Sequence, residues 1–213
     1  MGAIFGYVSY RVRGFRLFFA TKTMNFGHIG FLMPLIIIFQ YLKMVGQKSR
    51  SLSDREIDQY YQGNPYWGGV HSKDAMTGSP DGKFYVVNLQ SLNQGNRKGT
   101  HWVLIFDVDV PDVKDLCLYF DPYGIGPPPI LESFCSRSRN PAAFCDDTYQ
   151  AMESTNCGYY CIMAADALLK GMPYKKLFTE VLDENKVPQN EARASAITLD
   201  PKKNKKVTFS EKK

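Results

Sequence analysis

From Tyr159 to Lys170 the chain carries almost no charge until Asp166, in residues that suit a helix. A helix this apolar belongs in a core, so the rest of the fold must be arranged around it. It opens at Ser154-Thr155-Asn156-Cys157-Gly158. A thiol in the first turn of a helix faces backbone N–H groups without intrahelical partners and the positive end of the helix dipole. Both favour the thiolate, the form that attacks carbonyls. Gly158 lets a backbone or a substrate approach where a side chain would obstruct it. The competing reading is an inert structural cysteine in a core helix, and for a lone cysteine in an apolar helix that is the commoner case.

A chain of 213 residues suits one domain with room for tails. Its net charge of +5 permits contact with nucleic acid or an anionic surface without requiring it. The five cysteines are odd in number, irregularly spaced and contain no CxxC pair. That argues against a disulfide framework and against a zinc site, and no metal is expected. A reducing compartment, cytosol or nucleus, follows. Only His28, His71 and His101 are present for histidine chemistry, and His71 reads as a surface-loop residue.

Residues 1–50 differ from the rest. Arg11, Arg13, Arg16 and Lys22 precede an apolar run, Ile29 to Phe39, broken by Pro34. Widened to 26–42, the run still falls short of the ~20 residues of a membrane span, which leaves membrane association open as an interfacial anchor. A partner-binding or cleaved leader and a gene-model extension are the other readings. The globular domain is expected over 51–184. From 185 to 213 a polar tail is expected, ending in the basic cluster Lys202-Lys203-Asn204-Lys205-Lys206.

Within the domain, Ser51 to Asp54 reads as a helix start, with Ser or Asp as cap. The helix runs from about Asp54 to Gln62 and is stopped by Gly63-Asn64-Pro65. Tyr66-Trp67-Gly68-Gly69-Val70 reads as an aromatic, glycine-rich loop able to line a groove. Phe84 to Leu89 reads as a strand, and the near-continuously apolar His101 to Phe106 as a strand central in its sheet. Leu116 to Phe120 is the returning strand, forced out of the sheet at Asp121-Pro122-Tyr123-Gly124. Ile125 to Asp147 reads as a surface excursion with a short helix near Leu131 to Cys135. Lys170-Gly171-Met172-Pro173 ends the main helix, and Tyr174 to Glu184 reads as one more.

If the two strands fold back symmetrically about Pro111, Asp121 stands opposite His101 within hydrogen-bond reach. A thiolate nucleophile needs a proton acceptor, the imidazole needs a partner that fixes its tautomer, and the acyl intermediate needs oxyanion donors. Cys157, His101 and Asp121 offer the first three roles. The amide of Gln150 and the backbone N–H of Cys157 offer the last.

His-Trp at a strand start, Asp-Pro-Tyr-Gly ending the next strand, and Gln150 in a Gln-x6-Cys-Gly run resemble the adenovirus-type cysteine proteases. The resemblance covers roughly Tyr66 to Gly171. It implies an α+β fold, papain-like or adenain-like, with a central mixed sheet packed against helices and the nucleophile at the start of a central helix. His101 would be the general base, Asp121 its orienter, Gln150 an oxyanion donor and Cys157 the nucleophile. Trp102 would pack beside the imidazole and, with Tyr66, Trp67, Gly68 and Gly69, wall the substrate groove. The chemistry needs no cofactor. In that family a disulfide-linked peptide and DNA raise activity, and Cys135 and Cys145 lie in the corresponding region. Adenovirus enzymes usually carry Glu where this chain has Asp121, whereas the proteases of ubiquitin-like proteins, in the same clan, use Asp.

The function expected is a monomeric endopeptidase of a DNA virus or virus-like transposable element, cleaving capsid or core precursors in the host nucleus, the cytoplasm or the virion. A protease for ubiquitin-like proteins and a non-catalytic binding protein keeping the fold are the alternatives.

Overall fold

The computed structural model describes residues 50–91, 101–110, 115–197 and 199, and the backbone of two short strands at 9–12 and 15–18. The chain divides into two compact units, Met1–Leu42 and Lys43–Lys213. In the first, β1 (Ser9–Val12) and β2 (Phe15–Phe18) form an antiparallel hairpin, with Ser9 opposite Phe18 and Val12 opposite Phe15. The apolar run 26–42, the loop 93–100, Pro111 and the basic cluster near 204 lie outside the described residues. No described helix is long and apolar enough to cross a membrane.

The second unit is an α+β fold around a mixed sheet of five strands in the order β3-β4-β5-β6-β7. These are β3 (Trp67–Ser72), β4 (Phe84–Asn88), β5 (Trp102–Phe106), β6 (Cys117–Phe120) and β7 (Ala142–Phe144). The inner pairs β4–β5 and β5–β6 are antiparallel, and the outer pairs β3–β4 and β6–β7 are parallel. The apolar strand β5 takes the middle position and is buried along its whole length. Its side chains alternate as the pleat requires. Trp102, Leu104 and Phe106 join the core on one face, and Val103 and Ile105 join the core on the other.

The first face is covered by α1 (Asp54–Tyr61), the central α3 (Cys157–Leu169) and α5 (Val187–Ser195). The second is covered by α2 (Pro129–Cys135). Ser53 and Glu56 close a capping box at the start of α1. The one acidic side chain of α3 is satisfied from α1: Asp166 accepts from the hydroxyls of Tyr60 at 2.7 Å and Tyr61 at 3.1 Å. Burial pushes the Asp166 carboxyl up, with those hydrogen bonds opposing. Gly171, at φ +80°, ends α3 in a Schellman turn, its N–H on Leu168 O and that of Met172 on Ala167 O.

Three stretches depart from the sequence-based expectation. Trp67 to Ser72 is an edge strand, not a loop. The excursion from Ile125 to Asp147 contributes β7, a three-residue edge strand that pattern alone does not announce. The stretch Tyr174–Lys176, helix α4, runs on as a π turn over Leu177–Val181.

The polar tail expected from 185 also needs correction, because Val187–Ser195 folds back as α5. Its Ala194 and Asn190 are fully buried, and the Asn190 amide donates to Asp183 O at 2.8 Å and Tyr149 O at 3.3 Å. A polar helix packs here because its few inward groups find backbone partners.

Candidate active site

His101 immediately precedes β5, and Asp121 immediately follows β6. His101 Nε2 lies 2.7 Å from Asp121 Oδ1, in a site where the carboxylate is fully buried and the imidazole nearly so. The pairing forms although the register expected from symmetry is off by two residues. Leu104 faces Phe120 and Ile105 faces Tyr119, so continuing outward sets Val103 against Asp121 and His101 against Tyr123. A slip of two keeps every side chain on its face, and it leaves Asp121 diagonal to His101 rather than opposite.

The turn Asp121-Pro122-Tyr123-Gly124 completes this corner. Gly124 N–H donates to Asp121 O at 2.9 Å, and Tyr123 N–H donates to Asp121 Oδ1 at 2.8 Å. The Tyr123 ring stacks on the imidazole, centroids 4.8 Å apart. Gly124 has φ +71°, and a Cβ there would stand 2.7 Å from the carbonyl oxygens of Asp146 and Asp147. Only glycine closes the turn against that neighbouring segment.

Cys157 is the first residue of α3 and is buried. Burial alone would lower the His101 pKa, but the hydrogen bond and charge of Asp121, aided by the Cys157 thiol, raise it to about 9. Nδ1 of His101, on the edge away from Asp121, makes no closed hydrogen bond among the described residues. Cys157 is nonetheless near enough to the ring to raise its pKa. Asn156, at the N-cap of α3, does not cap it with its side chain. The N–H groups of the first turn are thus not spent on the Asn156 side chain.

Trp102 does not wall an open groove. Its indole N–H donates to Leu52 O at 3.0 Å, and its ring lies beneath Gly158, where an added Cβ would meet Trp102 at 3.3 Å and Leu52 at 3.2 Å. The close approach that Gly158 permits is that of Leu52 and Trp102, which together seat the start of the helix.

The other expected groove residues lie at the opposite end of the sheet. Trp67 pairs with Phe84, which pairs with Phe106, the far end of the strand that His101 precedes. Five residues at about 3.4 Å each separate the two ends. There Tyr66 and Trp67 pack on the core, and the Trp67 indole N–H donates to Asp58. A Cβ on Gly68 would fall 2.1 Å from the Tyr85 ring, and Gly69 adopts φ +108°. These glycines serve strand packing, not a groove.

Gln150 is buried near this corner. Its amide donates to Ser154 O at 2.9 Å and to the Tyr123 hydroxyl at 3.2 Å, while Oε1 has no partner among the described residues. Both amide hydrogens are committed within the chain rather than aimed at an open oxyanion position. Sequence reasoning also missed Tyr123 as a contact of His101, although it sits inside the Asp-Pro-Tyr-Gly motif. It missed Leu52 as well, and Glu191, whose carboxylate accepts from Ala151 N–H at 2.8 Å, and the sequence offers no signal for either. No cluster that could hold a metal ion occurs among the described residues. Of the cysteines singled out for a linked peptide, Cys135 is buried and Cys145 is half-exposed.

A buried His–Asp pair beside a thiol at a helix start, on a mixed sheet, is an arrangement suited to acyl transfer. No protein-family profile matches the chain, and no curated protein does. Among solved structures the fold is similar to the crystal structure of the ASFV pS273R protease. The TM-score is 0.51 at 14% identity, over 76% of this chain and 79% of that one. A selenomethionine crystal structure of the same protease overlaps less, with a TM-score of 0.38 at 18% identity over 54% of this chain and 45% of that one. The architecture is one that a protease uses.

Proposed function

We propose that this chain is a cysteine endopeptidase of a DNA virus or virus-like transposable element, of the adenovirus type, cleaving structural precursor proteins during particle maturation. The observation that carries the reading is the buried His101–Asp121 pair, 2.7 Å apart, with Cys157 beside it at the first position of α3. The fold shared with the ASFV pS273R protease supports a protease.

In the reaction, the Cys157 thiolate adds to the scissile carbonyl carbon. The N–H groups of the first turn of α3 receive the oxyanion. As the tetrahedral adduct collapses, His101 gives its Nδ1 proton to the leaving amine, and a thioester remains on Cys157. Neutral His101 then takes a proton from water, hydroxide displaces the thiolate, and the acid product leaves. Asp121 holds Nε2–H, which fixes Nδ1 toward the thiol and stabilises the imidazolium. Gln150 braces the loop before Cys157, and it serves the oxyanion directly only by trading one of its present hydrogen bonds. No cofactor takes part in these steps. The site takes an extended polypeptide, the enzyme works as a monomer in the host nucleus, cytoplasm or virion, and DNA or a disulfide-linked peptide raises its activity, as in the family it resembles.

The test is to incubate the protein with capsid or core precursors encoded beside it and to map new termini by mass spectrometry. New termini with the wild type, absent with Cys157→Ser, support the reading. Intact precursors, together with processing of a ubiquitin-like protein precursor, would transfer the assignment to the ubiquitin-like-protein proteases. Lack of alkylation of Cys157 by iodoacetamide, unaffected by His101→Ala, would sink the catalytic reading.

A further inference from the structure

The segment between Gln150 and Cys157 is held by one carboxylate from outside the catalytic motifs. Glu191, on α5, accepts through Oε1 from the backbone N–H of Ala151 at 2.8 Å. Through Oε2 it accepts from the Ser154 hydroxyl at 2.8 Å and from the Asn156 side-chain amide at 2.7 Å. Ser195, one turn further along α5, accepts from the same amide at 3.1 Å, and Ser154 Oγ accepts from Asn156 N–H at 3.1 Å.

The consequence lies at the start of α3. Asparagine at an N-cap ordinarily turns its side-chain oxygen onto the N–H groups of the first turn. Here the Asn156 side chain is drawn instead toward Glu191 and Ser195, and it makes no capping bond. The donors that a capped helix would spend on Asn156 are left to the first turn at Cys157. The clamp also fixes the Ser154 carbonyl on which the Gln150 amide and the Tyr123 hydroxyl converge.

We infer that Glu191 is a positioning residue of the acyl-transfer site, holding the Ala151–Asn156 loop so that the first turn of α3 remains an uncapped oxyanion receptor. The inference rests on the peptidase reading for its kinetic consequence and on geometry alone for the clamp. A glutamine at 191 keeps one acceptor oxygen and so can hold one side of the loop. An alanine holds neither.

The experiment compares wild type, Glu191→Gln and Glu191→Ala by three readouts. The first is turnover of a peptidyl coumarylamide ending in Gly-Gly. The second is alkylation of Cys157 by iodoacetamide, which forms no oxyanion. The third is amide hydrogen exchange at Ala151 and Asn156. Glu191→Ala is expected to lower kcat about 100-fold with KM nearly unchanged, as loss of an oxyanion donor does. Alkylation should stay within about threefold of wild type, Glu191→Gln should be intermediate, and exchange at the two amides should accelerate at least about tenfold in Glu191→Ala. Unchanged kcat, or equal losses in turnover and alkylation, would overturn the positioning role. Unchanged exchange would overturn the clamp even if no peptide is turned over, whereas a wild type inert to the coumarylamide with accelerated exchange in the variant would count against the peptidase reading alone.

Discussion

Tyr123 touches His101 in two ways: its ring stacks on the imidazole at 30° between planes, and its backbone N–H shares the Asp121 oxygen that His101 holds. The side chain thus fixes the tilt of the imidazole, while the main chain fixes its partner. Tyr123→Phe keeps the stack and loses only the hydroxyl that links Ser154 and Gln150. Tyr123→Ala removes the ring and leaves the backbone donor in place. Stacked aromatic pairs contribute about 0.5–1.5 kcal/mol, so kcat/KM should fall roughly 3- to 10-fold in Tyr123→Ala and less in Tyr123→Phe. Peptide turnover of the two variants measures this, and an equal loss in both would assign the effect to the hydroxyl.

Asp121→Ala should be the more damaging change in the pair. It strips the imidazole of the partner that sets its tautomer and leaves Nε2–H buried and unpaired. A loss of at least about 100-fold in kcat is expected, the scale of a misdirected general base. Asp121→Asn should fall between, since an amide oxygen still accepts from Nε2–H but brings no charge. Retention of wild-type kcat in Asp121→Ala would remove Asp121 from the mechanism.

The raised His101 pKa makes a statement about stability. In the unfolded chain the imidazole titrates near 6.5, and in the folded protein near 9. The folded state therefore holds the proton more tightly. Its contribution is complete below pH 6.5 and is lost as pH rises through about 9, so stability falls across that window. Each tenfold gain in proton affinity is worth about 1.36 kcal/mol, which bounds the contribution at about 3 kcal/mol. Urea unfolding at pH 6 and at pH 9.5 should show a steeper decline in wild type than in His101→Gln, which keeps only the decline from the buried Cys117, Cys145 and Cys161 thiols, also pushed up by burial. Equal declines would contradict the assignment. Turnover should also drop above about pH 9, where His101 no longer carries the proton that the leaving amine needs.

Much of this corner is legible in the sequence because short-range signals there coincide. The apolar run of β5, the Asp-Pro-Tyr-Gly exit from β6 and the Asn-Cys-Gly helix start each have local causes, and together they bring His101, Asp121 and Cys157 to one end of the sheet. Assuming a symmetric connection through Pro111 gives the wrong register, yet parity rescues the pairing. The groove is misplaced for a different reason. Tyr66 to Gly69 resembles a binding loop in composition, but strand direction decides which end of the sheet it occupies, and a parallel β3–β4 pair is not written in the residues. Glu191 is invisible because its meaning comes from a helix whose polar sequence looks like a tail until Asn190 and Ala194 are seen to be buried.

Two glycines separate these ends experimentally. At Gly158 an added methyl would press on Leu52 at 3.2 Å and Trp102 at 3.3 Å, both buried and joined by the indole hydrogen bond to Leu52 O. Overpacking costs about 1–3 kcal/mol, set against roughly 1 kcal/mol gained in helix propensity, so Gly158→Ala should destabilise modestly. Because the strain falls on the residue after Cys157, turnover should drop further than stability does. At Gly68 the methyl would overlap the Tyr85 ring, which must swing away from Pro80, whose carbonyl its hydroxyl holds at 3.0 Å. Gly68→Ala should therefore lower the unfolding midpoint and leave kcat/KM of the folded enzyme at the wild-type value. If Gly68→Ala instead raised KM while leaving the midpoint alone, the Tyr66–Gly69 stretch would have to contact substrate after all.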